Sequence, residues 1–239
     1  MPRARGIRHT RLVSTARANG DRHYQRDSVE FSRALTFFDA VYAIALTLLV
    51  VNLDPPEPAA WRSVGTLLAS GLEWQLLGFA ISFAVIAAFW RVNHRLMSGF
   101  RAVSPGTIVA NLVAIAFVVL IPFSTQGISE DETSDAPLTV AVYAVNISAA
   151  VIAQSAVYGI ARRDGVLAHP LPRRAERARL LDTMSKPAVF LASIPIAYAF
   201  GADWGRWTWA SLLVIGPLTG RWATRRVARI VAESEERGR

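Results

Sequence analysis

Residues 33–51 of this chain have the sequence RALTFFDAVYAIALTLLVV, in which Asp39 is the only charge after Arg33. A helix that crosses the hydrocarbon core of a bilayer, about 30 Å thick, needs roughly 20 apolar residues, and the apolar run at 34–53 has this length. Further apolar runs follow at 74–90, 108–123, 138–161, 187–202 and 207–220. The pattern predicts an all-α membrane protein with six transmembrane helices.

The last two runs are short, and each is broken by a proline, Pro195 and Pro217. An alternative for this pair is a hairpin of buried or re-entrant helices. Trp207 and Trp222 flank the sixth run, as expected of the aromatic belts at membrane interfaces. We therefore favour two spanning helices here.

The six predicted helices segregate the charged residues. The 239-residue chain has 26 Lys and Arg against 18 Asp and Glu, a net charge of +8. If the helices alternate in direction, both tails and the links after the second and fourth helices share one side, which has every basic residue except Arg62 and Arg206. Because Lys and Arg mark the cytoplasmic side, we predict that both termini are cytoplasmic. The calculated pI of about 10.9 then reflects membrane topology, and no nucleic-acid partner is expected.

The opposite side of the predicted bundle is acidic. Its acids are Asp54, Glu57, Glu73, Glu130, Asp131, Glu132, Asp135 and Asp203. Such a cluster raises the local concentration of cations, an effect that falls as the salt concentration rises.

Residues 1–32 form a basic arm ahead of the first apolar run. A secretory signal peptide has an apolar core of only roughly 7 to 15 residues and a small-residue cleavage site, and neither is found here. We interpret the arm as cytoplasmic, with its arginines resting on anionic lipid headgroups. The predicted division is thus the arm at 1–32, a six-helix transmembrane domain at 33–222 and a cytoplasmic tail at 223–239.

Residue types that support catalysis or bind metals are sparse. The chain has no cysteine and 4 histidines, and it has no His-x-x-x-His pair, Gly-x-Ser-x-Gly elbow or phosphate loop. We therefore predict no catalytic residue, no metal site and no cofactor. A membrane-embedded enzyme is disfavoured on these grounds.

Asp39 is the charge that needs an explanation. An acid within a membrane helix is costly and usually faces the protein interior or water, paired with another group. Arg33 lies six positions earlier, too far round the helix for a simple pair, whereas Trp90 and His94 end the second run at a similar depth. The alternative is an interfacial capping acid with a nearby histidine.

Three branched residues further along the first run share a helical face. Ile44, Leu48 and Val51 fall at i, i+4 and i+7, with Thr47 beside them. Such a stripe is usually packing surface. At the centre of an oligomer it would instead form a hydrophobic constriction of the kind that gates by dewetting, and the periodicity alone leaves both open.

The first run resembles the first-helix signature of the bacterial TMEM175 potassium channels, in which Arg-x-x-x-Phe-Ser-Asp precedes Ala-Ile-Ala-Ile-Thr-Leu-Leu. Matches continue in order over roughly residues 33 to 150, at Ser82-Phe83, Phe89-Trp90, Asn93-His94-Arg95-Leu96, Asn111-Leu112, Leu120 to Thr125 and Tyr143 to Asn146. There is one clear departure, because Phe38 replaces the motif serine and removes a hydroxyl from the cluster. Asn93 also stands where a second histidine is common.

The resemblance implies a six-helix subunit in a homotetramer, with the first helices around a central pore. It implies that Ile44, Leu48 and Val51 form the constriction and that the Thr47 hydroxyl tunes selectivity. The family motif further implies a polar network that holds the first helix in place, formed by Arg33, Phe37, Asp39, Trp90 and His94.

The implied function is passive conduction by a potassium-selective or potassium-preferring cation channel in the bacterial cytoplasmic membrane. Its partners would be membrane lipids, further copies of the chain and permeant K⁺. Two alternatives stay open. One is a proton-permeable leak pathway or ion-coupled transporter that uses Asp39 and His94, and the other is a non-conducting scaffold.

Overall fold

The regular structure of the chain is almost entirely helical. A computed structural model describes residues 23–130 and 132–236; most of the predicted basic arm, Asp131 and the last three residues lie outside this description. The helices are α1 (Val29–Leu48), α2 (Val64–Leu68), α3 (Leu72–Ser98), α4 (Pro105–Val119), α5 (Ile121–Ser129), α6 (Pro137–Arg163), α7 (Arg173–Phe200), α8 (Ala202–Ala210) and α9 (Leu212–Glu236). The all-α fold class is confirmed.

Five helical segments of the described residues are long and apolar enough to cross a membrane. They are Val29–Asn52, Gln75–Ser98, Pro105–Ser129, Pro137–Arg163 and Arg173–Phe200. Each overlaps one of the first five predicted runs. The sixth run, 207–220, is divided between α8 and α9 and is not among these five, so the count of six spans stays a prediction.

The α8 and α9 helices nevertheless run back along α7. Trp209 Nε1 donates a hydrogen bond of 2.9 Å to Ser193 Oγ, and the hydroxyls of Thr219 and Ser185 lie 3.5 Å apart. Later positions in α8 and α9 thus meet earlier positions in α7, which defines an antiparallel hairpin. The predicted domain boundary at residue 222 falls inside α9, which continues to Glu236.

The third span is interrupted at Leu120, where α4 ends and α5 begins. Pro122 lies in the first turn of α5, a position that tolerates the missing N–H, and its ring prevents an unbroken helix. The Pro122 carbonyl oxygen accepts a 2.9 Å hydrogen bond from Asn52 Nδ2, at the end of the first span.

Three chain segments meet at one end of the bundle. The strands β1 (Tyr24–Gln25) and β2 (Ala102–Val103) pair antiparallel, and Arg26 Nη1 donates to the carbonyls of Ser98, at 2.7 Å, and Phe100. Arg101 Nη2 donates to the Gly165 carbonyl at 2.7 Å. The segment before α1, the α3–α4 link and the α6–α7 link are therefore hydrogen-bonded together.

The core lies around α6, between α4 and α7. Small residues of α6, among them Ala144, Ala150 and Ala161, are fully buried, and small side chains let membrane helices approach closely. The α1 helix and the turn after it pack on this core with one face only, formed by Phe31, Phe38, Tyr42, Ala45 and Leu49. Its other face is left uncovered by the rest of the residues that the structure describes.

Candidate functional site

The start of α1 is set by a cap rather than by hydropathy. The Ser28 hydroxyl accepts a hydrogen bond from Phe31 N, and Glu30 lies in the first turn, where the helix dipole favours an acid. The helix therefore begins five residues before the apolar run at 34–53. This extra turn adds Ser32 and Arg33 to the uncovered face.

All four residues of the predicted pore lie on this uncovered face. Ile44 is 57% exposed, Leu48 43% and Val51 73%, and Thr47 is exposed beside them. Val51 belongs to a 3₁₀ turn over Leu49–Asn52, so the stripe does not keep the α-helical period to its end. The pore assignment itself stays a prediction.

The uncovered face also contains small and hydroxyl residues. Thr36, Ala40, Ala43 and Thr47 are all exposed along it. Small and hydroxyl side chains are typical of helix–helix contacts in membranes, where lipid tails offer no hydrogen bonds. The composition therefore suits contact with protein or water better than contact with acyl chains.

The hydroxyl proton of Thr47 is already used within the helix. Thr47 Oγ1 donates a 2.8 Å hydrogen bond to the Ile44 carbonyl oxygen. A threonine hydroxyl has one donor and two acceptor lone pairs. Once the donor is committed, Thr47 presents only an acceptor to the uncovered face, the polarity that a cation requires.

Three residues of the predicted polar network meet. Trp90 Nε1 on α3 donates a 2.9 Å hydrogen bond to Asp39 Oδ1 on α1, and the rings of Trp90 and His94 have centroids 5.6 Å apart. Within residues 23–130 and 132–236, Arg33 forms no ion pair with Asp39. Phe37 is exposed, and its ring contacts the edge of Phe38. The roles of Arg33 and Phe37 stay predictions.

Phe38 points away from this cluster. Its side chain is only 2% exposed and belongs to the hydrophobic core. The residue that replaces the motif serine therefore fills the contact between α1 and its neighbours, and the polar cluster is formed by Asp39, Trp90 and His94 without a hydroxyl at this position.

Gln154 on α6 is a contact that the sequence did not single out. Its Nε2 donates to the Phe89 carbonyl at 3.1 Å and lies 3.4 Å from the Tyr42 hydroxyl. One buried amide thus bridges α1, α3 and α6. A polar amide within the uncharged run at 138–161 was the available signal.

Acids gather at the far end of α1. Asp54, Glu130 and Glu132 line a cavity of about 430 Å³, and Gln75 Oε1 accepts from Asp54 N at 3.0 Å. In the part of the chain that the structure describes, no three His, Asp or Glu residues are grouped as a metal site would require.

The helices and the mostly apolar uncovered surfaces define a multi-pass membrane protein. A family model described as the endosomal/lysosomal potassium channel TMEM175 matches residues 33–122. A potassium channel from Streptomyces collinus is 31% identical over 144 residues, which cover 59% of this chain and 69% of the relative. The chain belongs to the TMEM175 family, as its first-helix motif predicted.

Other comparisons agree. The solved structure of a homologue of the lysosomal potassium-selective channel TMEM175, from Chamaesiphon minutus, superposes with a TM-score of 0.61 at 26% identity, covering 83% of this chain and 99% of that one. A Chryseobacterium potassium channel is 28% identical, and the match spans 51% of this chain and 59% of the relative's length. The human proton channel TMEM175 is 31% identical over 104 residues, 41% of this chain and 21% of that protein. These relatives are ion channels, not enzymes.

Proposed function

We propose that this protein is a potassium-preferring cation channel that conducts passively as a homotetramer, with four α1 helices around the central axis. The observation that supports this most is the uncovered face of α1, where branched apolar residues alternate with small and hydroxyl ones. A single α1 cannot enclose a pore. The mechanism therefore requires several subunits, each contributing this face.

The narrowest part of the proposed pore is a ring of Ile44 side chains. Leu48 and Val51 extend the apolar constriction, which holds water weakly and so opposes ion passage unless it is wetted. The next ring along the proposed pore is formed by Thr47. Its hydroxyl donates to the Ile44 carbonyl oxygen, so it presents an acceptor to the pore. Backbone and hydroxyl oxygens then replace part of the cation's hydration shell.

The polar cluster would fix the rotation of α1 about its own axis. Its charge-assisted hydrogen bond between Trp90 and Asp39 ties α1 to α3, and charge-assisted bonds are shorter and stronger than neutral ones. Arg33 and Phe37 complete the network in this proposal. They are exposed on the isolated subunit and would face a neighbouring one.

The proposed subunit has six spans, with both termini in the cytoplasm of a bacterium. Hydrogen bonds join the segment before α1 to the α3–α4 link, and that link to the α6–α7 link. They support a shared side for these basic segments. The antiparallel return of α8 and α9 along α7 supports a sixth pass. The acids at the other end would then concentrate cations at the outer mouth.

A second candidate function is a proton-permeable leak through Asp39 and His94. Trp90 contacts both of these titratable residues, and the matching human protein is named a proton channel. Among the described residues, Asp39 and His94 share no direct hydrogen bond. Trp90 lies between them, so proton transfer would need a water at this point.

Purified protein in liposomes tests both functions. Separate K⁺, Na⁺ and H⁺ gradients are imposed, and the flux of each ion is followed with an ion-sensitive dye, with empty liposomes as the control. We expect K⁺ flux that exceeds Na⁺ flux and needs no proton gradient. Flux of H⁺ alone would favour the leak, and oligomers without any ion flux would support the scaffold.

A further inference from the structure

A second cavity, which no residue of the uncovered face of α1 lines, lies among α3, α6, α7 and α9. Its volume is about 850 Å³, within the range of roughly 300 to 1,000 Å³ of small-molecule sites. One part of its lining is apolar and includes Phe89, Val151 and Phe190. The site is therefore large enough for an organic ligand and not only for water.

The other part of the lining is basic. Arg95, Arg179 and Lys186 contribute cationic groups, and Asp182 is the one acid among the lining residues that the structure describes. Lys186 Nζ lies 2.7 Å from Asp182 Oδ1, so these two charges neutralise each other. The excess positive charge belongs to the two arginines.

Neither arginine has a carboxylate partner within residues 23–130 and 132–236. The Arg179 guanidinium lies over the Tyr158 ring, 4.4 Å from its centroid, and Tyr158 also lines the cavity. Arg95 is exposed. Two guanidinium groups at one cavity form a site of the kind that recognises phosphate.

The basic and apolar parts of the cavity lining follow one another along the long axis of the helix bundle. Arg179, Lys186 and Phe190 follow one another on the cavity side of α7, and 11 residues of helix span roughly 16 Å. Arg95 belongs to the last turn of α3, at the bundle end where the links are hydrogen-bonded together. The two arginines thus lie nearer that end, and the apolar lining leads toward the middle of the bundle.

We propose that this cavity binds one anionic phospholipid of the surrounding membrane, with its phosphate on Arg95 and Arg179 and an acyl chain along Phe89, Val151 and Phe190. Charge complementarity selects an anionic headgroup, and basic pockets between membrane helices are suited to such headgroups. A free inorganic anion would leave the apolar lining unused. A zwitterionic lipid such as phosphatidylcholine also has a phosphate, but its headgroup ammonium would lie close to the two arginines and would weaken the net attraction.

The site goes beyond ion conduction and does not depend on it. Gln154 lines the cavity and is also the residue near the Tyr42 hydroxyl of α1. A bound lipid therefore contacts a side chain that reaches the back of the proposed pore helix. Binding and conduction can be measured separately, so failure of one does not imply failure of the other.

Native mass spectrometry of the full-length, delipidated protein in detergent tests the proposal, with phosphatidylglycerol and phosphatidylcholine as probes. We expect one phosphatidylglycerol bound per subunit in preference to phosphatidylcholine. The Arg95→Gln/Arg179→Gln variant should weaken phosphatidylglycerol binding about tenfold or more, as expected for lost hydrogen bonds to a charged group. Arg95→Gln alone should weaken it by less.

The matched control is Arg91→Gln/Arg177→Gln, which removes two exposed arginines of the same helices that do not line the cavity. This variant should bind phosphatidylglycerol like the wild type. Equal loss in both double variants would mean non-specific attraction and would overturn the site. Binding of inorganic phosphate without binding of phosphatidylglycerol would overturn the lipid as its occupant, as would a crosslink that places a second copy in the cavity.

Discussion

Trp90 on α3 and Asp39 on α1 are joined by a hydrogen bond of 2.9 Å from the indole nitrogen to the carboxylate. This hydrogen bond joins the first two long helices of the bundle, α1 and α3. Because the donor has no charge and the acceptor has one, changes to the two residues separate the effect of the bond from the effect of the charge.

Asp39→Asn should preserve the hydrogen bond to Trp90, because the asparagine side-chain oxygen also accepts one. Asp39→Ala and Trp90→Phe should remove this hydrogen bond. We expect lower melting temperatures in detergent for the latter two, with a loss of about 1 to 3 kcal/mol. The K⁺ flux of Asp39→Asn should stay near that of the wild type. A loss of H⁺ flux in this variant would instead support the leak function.

Ile44→Ala and Ile44→Asn should widen or wet the tightest ring of the proposed pore. We expect larger single-channel conductance in planar bilayers, with weaker preference for K⁺ over Na⁺. The control is Leu46→Ala, which changes a half-buried residue of the same helix off the proposed axis. Unchanged currents in both Ile44 variants would remove this residue from the pore.

Thr47→Val has nearly the same shape as the wild type but lacks the hydroxyl, and Thr47→Ser retains it. If the oxygen of Thr47 helps to replace hydration of the cation, Thr47→Val should lower K⁺ selectivity and Thr47→Ser should leave it nearly intact. Reversal potentials under mixed K⁺ and Na⁺ gradients measure this. Equal selectivity in the two variants would assign Thr47 to helix packing.

Phe38→Ser restores the family motif but empties a core position. Truncation of a buried Phe costs about 3 to 5 kcal/mol, so we expect a large fall in the melting temperature in detergent. Phe37→Ser is the matched control, because Phe37 is exposed on the neighbouring position, and it should cost much less. Equal melting temperatures for both variants would contradict the burial of Phe38.

Gly205→Ala should disturb the contact of α8 with α7. An added Cβ would lie 2.6 Å from Ala197 Cβ and 3.1 Å from the Ser193 carbonyl oxygen, and overpacking of this kind costs about 1 to 3 kcal/mol. Gly216→Ala, where a Cβ meets nothing within 4 Å, should be neutral or stabilising because alanine favours helix. Melting temperatures should therefore separate the two variants.

The spans were predictable because hydropathy depends on composition and length. Hydropathy did not predict where α1 begins. The helix begins after Ser28, whose hydroxyl caps it, and a cap does not depend on hydropathy. The break between α8 and α9 falls inside the sixth run, and hydropathy does not indicate it. The close approach of α8 to α7 at Gly205 lies just before that run.

Contacts between helices were harder to predict than the helices themselves. The proximity of Asp39 and Trp90 followed from their similar depth, but depth does not define rotation about the helix axis. In the observed orientation of α1, Phe38 faces the core, whereas Arg33 is exposed and forms no ion pair with Asp39. Gln154 was not predicted as a bridging residue because an amide in an uncharged run does not identify its partners on other helices.

The first span is anchored at both ends. Arg26, two residues before the Ser28 cap, donates to two carbonyls of the α3–α4 link region, and Asn52 donates to Pro122 at the other end. A piston-like slide of α1 would break both anchors together. We therefore expect any switch between closed and open states to come from side-chain rotation and the entry of water at Ile44, with the backbone of the pore helix stationary.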